Sequence, residues 1–176
     1  DRKTLELSSV AFADGGRTLL HCSSTNGLSS IPLLEQDNGT VRFGPPVVLD
    51  PEPGFCLTDH TADGRRLVLA NNETGTLKFV EVTGAAVRTL CRSTADGIYA
   101  GAVSPDGATL LVNCSGAGPD AADQRMSVQY ADGTLVRELE GTASGEAVWC
   151  ANGQFAMTSN GPDENILWDT ANWKAI

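Results

Sequence analysis

The sequence predicts an all-β protein with the architecture of a β-propeller, in which small antiparallel sheets stack around a common axis. Three observations lead to this prediction. The 176 residues include 19 glycines and only 6% aromatic residues, which is typical of a chain with many turns and short apolar runs. The apolar runs flank Asp-Gly or Asn-Gly pairs, which favour tight hairpins. The resulting pattern occurs four times along the chain.

The repeat is clearest at its first turn. The segments "SVAFADGGRTLLHC", "LTDHTADGRRLVLA", "AGAVSPDGATLLVN" and "EAVWCANGQFAMTS" each indicate strand, tight turn and strand. Their turn glycines recur roughly every 45 residues, as expected of a structural repeat. These glycines are Gly16, Gly64, Gly107 and Gly153. Asp106, which follows Pro105, is predicted to form the third turn by accepting bonds from backbone N–H groups, and not to act in catalysis.

Each repeat continues with a polar loop and two further apolar runs. The third runs are "IPLLE", "LKFVEV", "MSVQYA" and "ILWD", and the fourth are "VRFGPPVVL", "VRTL", "LVREL" and "KAI". A four-stranded meander cannot bury both of its faces alone, whereas sheets stacked around an axis can. The predicted blades are residues 4–49, 50–90, 91–139 and 140–176.

The repeat resembles the WD-repeat family of β-propellers. The resemblance rests on the turn at Ser104–Gly107 with its looser copies, and on Trp168–Asp169 at the position of the family's Trp-Asp pair. It covers nearly the whole chain. No Gly-His pair precedes a first strand, so the family's hydrogen-bond chain from that His is expected to be missing. The resemblance implies a ring of about seven blades. The repeats of this chain are WD-like but degenerate.

Four repeats leave three possibilities for the ring. The chain is expected to be part of a larger propeller, which its start at Asp1 instead of a Met supports. The alternatives are completion of the ring by another copy or another chain, and closure as a four-bladed ring.

Charge and length restrict the partners. The formal net charge is −10, and the only adjacent basic pairs are Arg2–Lys3 and Arg65–Arg66, so a nucleic-acid-binding surface is not expected. No apolar run is long enough to cross a membrane. We expect an intracellular, cytoplasmic protein.

Neither a cofactor site nor a metal site is predicted. The five cysteines, Cys22, Cys56, Cys91, Cys114 and Cys150, show no C-x-x-C spacing. They are interpreted as buried small hydrophobic residues in a reducing compartment, with a disulfide between neighbouring strands as the alternative. The chain has two histidines, His21 and His60, and lacks the spacing of a zinc or calcium site.

A catalytic centre is not predicted either. The sequence has no G-x-S-x-G elbow, no phosphate-binding loop and no nucleophile with an evident His partner. Trp149 and Trp168 are predicted to lie in the core, and Trp173 to pack against its own hairpin. The chain is therefore expected not to be an enzyme.

The resemblance to WD-repeat propellers implies that the loops between second and third strands share one face with the loops joining the blades, and this face is expected to form one acidic rim. Its acidic residues are Asp50, Glu52, Glu73, Asp120, Asp123, Glu140, Glu146, Asp163 and Glu164, and its basic residues are Arg92 and Arg125. A protein partner with a basic patch would complement this rim. The predicted partner-binding residues are Glu73, Asp120, Asp123, Arg125, Asp163 and Glu164.

The predicted function is a non-catalytic protein–protein interaction or ligand-sensing module within a larger signalling or scaffold protein. Two alternatives are kept. One is a propeller-type hydrolase or lactonase, which would need carboxylates and His residues that converge on the axis. The other is a purely structural repeat protein.

Overall fold

Four antiparallel sheets make up the chain in a computed structural model, which describes residues 9–94, 98–115, 124–140, 146–159 and 164–176. Blade 1 contains β1 (Ser9–Ala13), β2 (Thr18–Ser23), β3 (Gly27–Glu35), β4 (Val41–Phe43) and β5 (Val47–Asp50). Blade 2 contains β6 (Cys56–His60), β7 (Arg66–Asn71), β8 (Thr76–Thr83) and β9 (Ala86–Thr94). Blade 3 contains β10 (Ile98–Val103), β11 (Thr109–Ser115), β12 (Gln124–Tyr130) and β13 (Leu135–Leu139). Blade 4 contains β14 (Ala147–Trp149), β15 (Phe155–Ser159), β16 (Asn165–Asp169) and β17 (Lys174–Ala175).

Within each blade, consecutive strands pair in the order in which they occur along the chain, except that β5 of blade 1 pairs with β3. The first strands of successive blades lie next to one another, so β1, β6, β10 and β14 form the innermost layer of the stack. This arrangement confirms the predicted fold class of four-stranded antiparallel blades around an axis. Among the described residues, no helix has the length and apolar character that crossing a bilayer requires.

The turn between first and second strands is built in the same way in blades 2, 3 and 4. In blade 3 the Asp106 carboxylate accepts bonds from the Ser104 hydroxyl (2.6 Å) and the Ala108 N–H (2.9 Å). The Gly107 N–H then donates to the Ser104 carbonyl at 2.8 Å, with Gly107 at a φ of 70°. The predicted role of Asp106 in forming this turn is confirmed.

The equivalent turns use different residues for the same bonds. In blade 2, Thr61 donates its hydroxyl proton to Asp63 at 2.6 Å. In blade 4, the Cys150 thiol donates to the Asn152 side-chain oxygen at 2.8 Å and accepts from the Phe155 N–H at 3.1 Å. Cys150 therefore takes the place of a Ser or Thr, which the expectation of a buried, packing cysteine did not foresee.

The hydrophobic core lies in three layers, each between two neighbouring blades. The layer between blades 1 and 2 includes Leu20, Leu28, Leu67 and Leu69. The layer between blades 2 and 3 includes Val68, Phe79, Leu110 and Val112. The layer between blades 3 and 4 includes Leu111, Val128, Ala156 and Trp168. Alternate residues of each second strand thus face opposite neighbours, as the two-residue period of a strand requires.

The predicted fourth strand of blade 1 is wrong in one respect. The run "VRFGPPVVL" forms two short strands, because β4 pairs with the end of β3 and β5 pairs with its beginning. Pro45 and Pro46 separate the two strands. Proline has no N–H to donate to a sheet, so a continuous ladder cannot pass through this pair.

The described cysteines fall into two groups. Cys22 and Cys91 are buried, as predicted, and burial raises the pKa of the Cys22 thiol to about 12. Cys56 and Cys150 are partly exposed, so the interpretation of a buried hydrophobic residue is wrong for these two. The structure describes no side chain for Cys114.

Candidate functional site

The candidate site is a groove along the axis, lined by the innermost strands of three blades. It has a volume of about 730 Å³. Blade 2 contributes the end of β6, blade 3 contributes β10 and the start of its turn, and blade 4 contributes β14. The lining combines apolar side chains such as Val103 and Val148 with the polar residues Asp59, His60 and Glu146. A groove with apolar walls and few polar groups is typical of small-molecule sites.

Asp59 holds the floor of the groove in place. Its Oδ2 atom accepts a bond from the Val103 N–H at 2.8 Å, and its Oδ1 atom accepts from the His60 N–H at 2.8 Å. The first bond ties blade 2 to blade 3, since Val103 lies on β10. Because both oxygens are occupied by backbone donors, Asp59 is suited to positioning its neighbours and not to attacking a substrate.

His60 presents the clearest acid–base group of the groove. Its Nδ1 atom lies 3.0 Å from the carbonyl oxygen of Thr61. A carbonyl only accepts hydrogen bonds, so Nδ1 carries the proton in this contact. In the neutral imidazole, Nε2 then has a lone pair that can accept a proton from water or substrate.

Glu146 lies directly before β14, on the other side of the groove. Its backbone carbonyl accepts a bond from the Ser159 N–H at 3.0 Å, which fixes the residue to blade 4. Its side chain is exposed. The groove therefore joins a histidine from blade 2 and a carboxylate from blade 4 that are far apart in sequence.

The aromatic residues near the groove pack as a pair. Trp149 and Trp173 meet edge to face, with ring centroids 5.5 Å apart. Trp149 and Trp173 are both only partly buried, so the prediction of a core position holds for Trp168 and in part for Trp149. Trp149 lies in the lining of the groove as well as against the core of blades 3 and 4.

The predicted acidic rim is partly neutralised. Lys78, whose side chain is almost completely buried, donates to the Asp50 carboxylate at 2.8 Å and also pairs with Glu52. Arg92 donates to both oxygens of Glu52, at 3.2 and 2.8 Å. Burial, the largest single influence, acts to raise the pKa of Asp50, but the bonds from Lys78 and from the Glu52 N–H, with the positive charges of Lys78 and Arg92, together hold that pKa below its usual value. Lys78 was missed because it lies on β8, in the middle of an apolar run.

The predicted partner-binding residues are spread over three blades. Glu73 is exposed in the turn between β7 and β8, and Glu164 is exposed before β16. Arg125 lies on β12 and pairs with Glu138 at 3.2 Å. The remaining residues of that set, Asp120, Asp123 and Asp163, lie outside the described residues. None of the three described residues is in the lining of the axial groove, and their role in binding a partner stays a prediction.

No metal cluster is found in the described part of the chain, where no three His, Cys, Asp or Glu side chains are close enough together to hold an ion. His60, Asp59 and Glu146 share the groove, but they do not form such a cluster.

Comparison with known proteins shows the fold. No family model matches the chain, and no curated protein matches its sequence. Hydrazine synthase of Kuenenia stuttgartiensis is similar in structure, with a TM-score of 0.63 and 16% identity over 100% of this chain and 50% of that chain. A Bacteroides fragilis chain named as a 6-phosphogluconolactonase has a TM-score of 0.66 and 16% identity, over 97% of this chain and 52% of that one.

These neighbours define the chain as propeller-like. The chain spans about half the length of both solved chains. Likeness at 16% identity extends to the fold and not to the activity. The similarity supports a propeller and does not show membership of the WD-repeat family.

The predicted function as a non-catalytic interaction module of a signalling or scaffold protein was wrong. One structural neighbour is a chain named as a lactonase, a propeller-type hydrolase, which agrees with the alternative and not with the main prediction. Nothing in the comparisons supports a signalling or scaffold role. His60, Asp59 and Glu146 line one groove only in the folded blades, so the sequence showed no polar set on the axis.

Proposed function

We propose that the axial groove is the active site of a propeller-type hydrolase that acts on a small, uncharged ester or lactone. The observation that carries the proposal is the presence of His60 and Glu146 on opposite sides of one groove. The expectation that the chain is not an enzyme is untested, and the assay below decides it.

His60 would act as the general base. Its Nε2 atom takes a proton from water, and the resulting hydroxide attacks the ester carbonyl. The carbon–oxygen bond of the ester then breaks, and the leaving alkoxide receives the proton back from the imidazolium. Glu146, which lines the same groove, would orient the water by accepting a hydrogen bond from it.

The charge of the groove favours a neutral substrate. Among the residues that the structure describes, its lining includes the carboxylates of Asp59 and Glu146 but no Lys or Arg. A phosphorylated sugar lactone would bring further negative charge without a cation to receive it, and like charges at close range repel. The substrate class proposed here therefore differs from the one that the name of the Bacteroides fragilis chain indicates.

A hydrolysis assay tests this proposal. We expect the 176-residue chain to hydrolyse an uncharged sugar lactone faster than its 6-phosphate. His60→Gln should lower kcat/KM by about 100-fold or more, because a general base contributes at least that much to such reactions. Glu146→Gln should lower the rate, while the matched variant Glu73→Gln, at an exposed loop away from the groove, should not. Unchanged rates in the His60 variant at unchanged melting temperature would refute the assignment.

The assignment of the repeats to the WD-repeat family belongs to the same proposal. It is supported by Trp168, whose Nε1–H donates to the Thr158 hydroxyl at 2.9 Å inside blade 4.

We also propose a ring larger than the four described blades and an intracellular location. A protein partner with a basic patch stays a prediction, which a salt-dependent pull-down would test.

A further inference from the structure

Two sheet faces of the stack lack a neighbour among the described residues. One is the face of blade 1 that points away from blade 2, and the other is the face of blade 4 that points away from blade 3. Both faces expose large apolar side chains. Those on blade 1 include Val10, Phe12 and Val48, and those on blade 4 include Val148, Met157, Leu167 and Ile176.

The exposed residues of blade 4 occupy positions that are buried in the other blades. Met157 is the fourth residue after its turn glycine and is 40% exposed. The corresponding residues of blades 1 to 3 are Leu20, Val68 and Leu111, and each is at most 1% exposed. In those blades the next blade covers the position. The open face of blade 4 thus has the composition of a surface that receives a following blade.

The open face of blade 1 is the complementary surface. Leu19, the third residue after its turn glycine, is only half-buried, and its cross-strand neighbour Phe12 is 59% exposed. The residues that correspond to Leu19 in blades 2 and 3, Leu67 and Leu110, are fully buried against the preceding blade. Blade 1 therefore has the composition of a surface that receives a preceding blade.

The two open faces are the two halves of the interface that the chain repeats three times internally. A face of each kind at opposite ends allows one molecule to follow another head to tail, and two such contacts close a two-fold ring. Two copies would supply eight blades, within the range that propellers show.

We propose that two copies of this chain form one eight-bladed ring, in which the open face of blade 4 of each copy packs on the open face of blade 1 of the other. The first strands of the second copy would then enclose the axial groove from the side that the single chain leaves open. This proposal rests on the sheet faces and does not depend on the proposed hydrolysis.

Light scattering coupled to size-exclusion chromatography tests the proposal on the 176-residue chain. We expect a compact particle with twice the 18.4 kDa mass of the chain. Phe12→Asp and Met157→Asp should each raise the dissociation constant of the dimer by at least about 100-fold, because each places a charge in both interfaces of a dimer. The matched variant Leu135→Asp changes an exposed apolar residue of β13, away from both open faces, and should leave the dimer intact.

Mixing the two damaging variants identifies the head-to-tail arrangement. A mixed pair keeps one native interface, formed by blade 4 of the Phe12→Asp copy and blade 1 of the Met157→Asp copy. The mixture should therefore dimerise more tightly than either variant alone. A monomer at all concentrations, an open polymer, or sensitivity to only one of the two substitutions would each overturn the proposal.

Discussion

At the scale of single residues, the first turns of blades 2, 3 and 4 are each held by a side chain that accepts hydrogen bonds from its own turn. Asp106 accepts a hydroxyl bond and a backbone bond within the hairpin, and Asp63 and Asn152 make the equivalent bonds in their blades. The bond from the Ser104 hydroxyl, followed by that from the Ala108 N–H, holds the pKa of Asp106 below its usual value. The stability of the turn depends first on an oxygen that accepts these bonds, and only secondarily on the negative charge of the carboxylate.

Substitution of Asp106 separates the oxygen from the charge. Asp106→Ala should lower the free energy of unfolding by about 1 kcal/mol, because the two hydrogen bonds that the carboxylate accepts at this exposed site are lost. Asp106→Asn should cost less, because Asn152 serves the same purpose in blade 4. Urea unfolding of the three proteins measures the difference. A larger loss for the Asn variant than for the Ala variant would contradict this account of the turn.

The pH dependence of the same variants has a definite sign. A carboxyl group whose pKa is lowered by folding stabilises the native state above its ordinary pKa of 3.8. This contribution disappears as the pH falls through the lowered pKa of the folded state. Asp106→Asn removes the charge, so part of its loss in the free energy of unfolding comes from that charge. This part should be present near neutral pH and shrink below about pH 3.8.

At the scale of strands and sheets, blades 2 and 3 approach each other closely at β10. Gly101 lies on this strand, and a Cβ atom there would come within 2.8 Å of Val68 Cγ1 and of Leu77 Cδ1, both on blade 2. The Gly101 carbonyl also accepts a bond from the Thr58 hydroxyl at 3.2 Å. The absence of a side chain at Gly101 is what allows blades 2 and 3 to meet at this distance.

Gly101→Ala tests how rigid this contact is. The added methyl group must displace buried side chains of blade 2, so we expect a loss of about 1–3 kcal/mol in the free energy of unfolding. Gly84→Ala is a suitable comparison, because a Cβ atom at Gly84 meets no other atom, although its positive φ adds some backbone strain. If thermal unfolding shows equal stability for wild type and Gly101→Ala, the sheets repack freely and the close contact is unimportant.

The strands show which parts of the structure a sequence can predict. The hairpins between first and second strands could be predicted because Asp-Gly and Asn-Gly determine a turn locally, with little help from distant residues. The break between β4 and β5 was missed, although Pro45 and Pro46 carried the signal for it. The rest depends on contacts between blades, such as the bond from the Val103 N–H to Asp59, which no local pattern encodes.

The candidate site illustrates the same limit. His60, Asp59 and Glu146 were each visible in the sequence, but the first two precede the first turn of blade 2 and the third precedes the first strand of blade 4. They share a groove because first strands of successive blades line the axis. The signal that could have found them is their common position at or beside the innermost strand of each repeat.

At the scale of the whole molecule, charge opposes the proposed assembly. Each chain carries a formal net charge of −10, so two chains in one ring repel each other through solvent. The described ion pairs lie within one chain and do not reduce this repulsion between copies. The dimer must therefore be held by its apolar faces against an electrostatic penalty.

Added salt should strengthen the dimer. Raising the ionic strength from roughly 0.02 M to 0.5 M shortens the screening length well below the size of the protein. We expect the dissociation constant to fall about tenfold, which sedimentation equilibrium would measure. Glu73→Lys, which makes each chain less negative at an exposed site, should reduce this salt dependence. A dimer that weakens with salt would instead indicate ion pairs across the interface.

The broken outer strand of blade 1 has a consequence for how the protein avoids aggregation. An outer strand exposes unpaired N–H and C=O groups to which a strand of another molecule can add. In blade 1 the two prolines interrupt this row between β4 and β5, so only short stretches remain for such pairing. The outer strand of blade 2, β9, is long, and its pairing with β8 shifts register between Phe79 and Val80, where a bulge interrupts the ladder. The outer edges of these two blades are thus less suited to fibre formation, because of the missing donors in one blade and the bulge in the next.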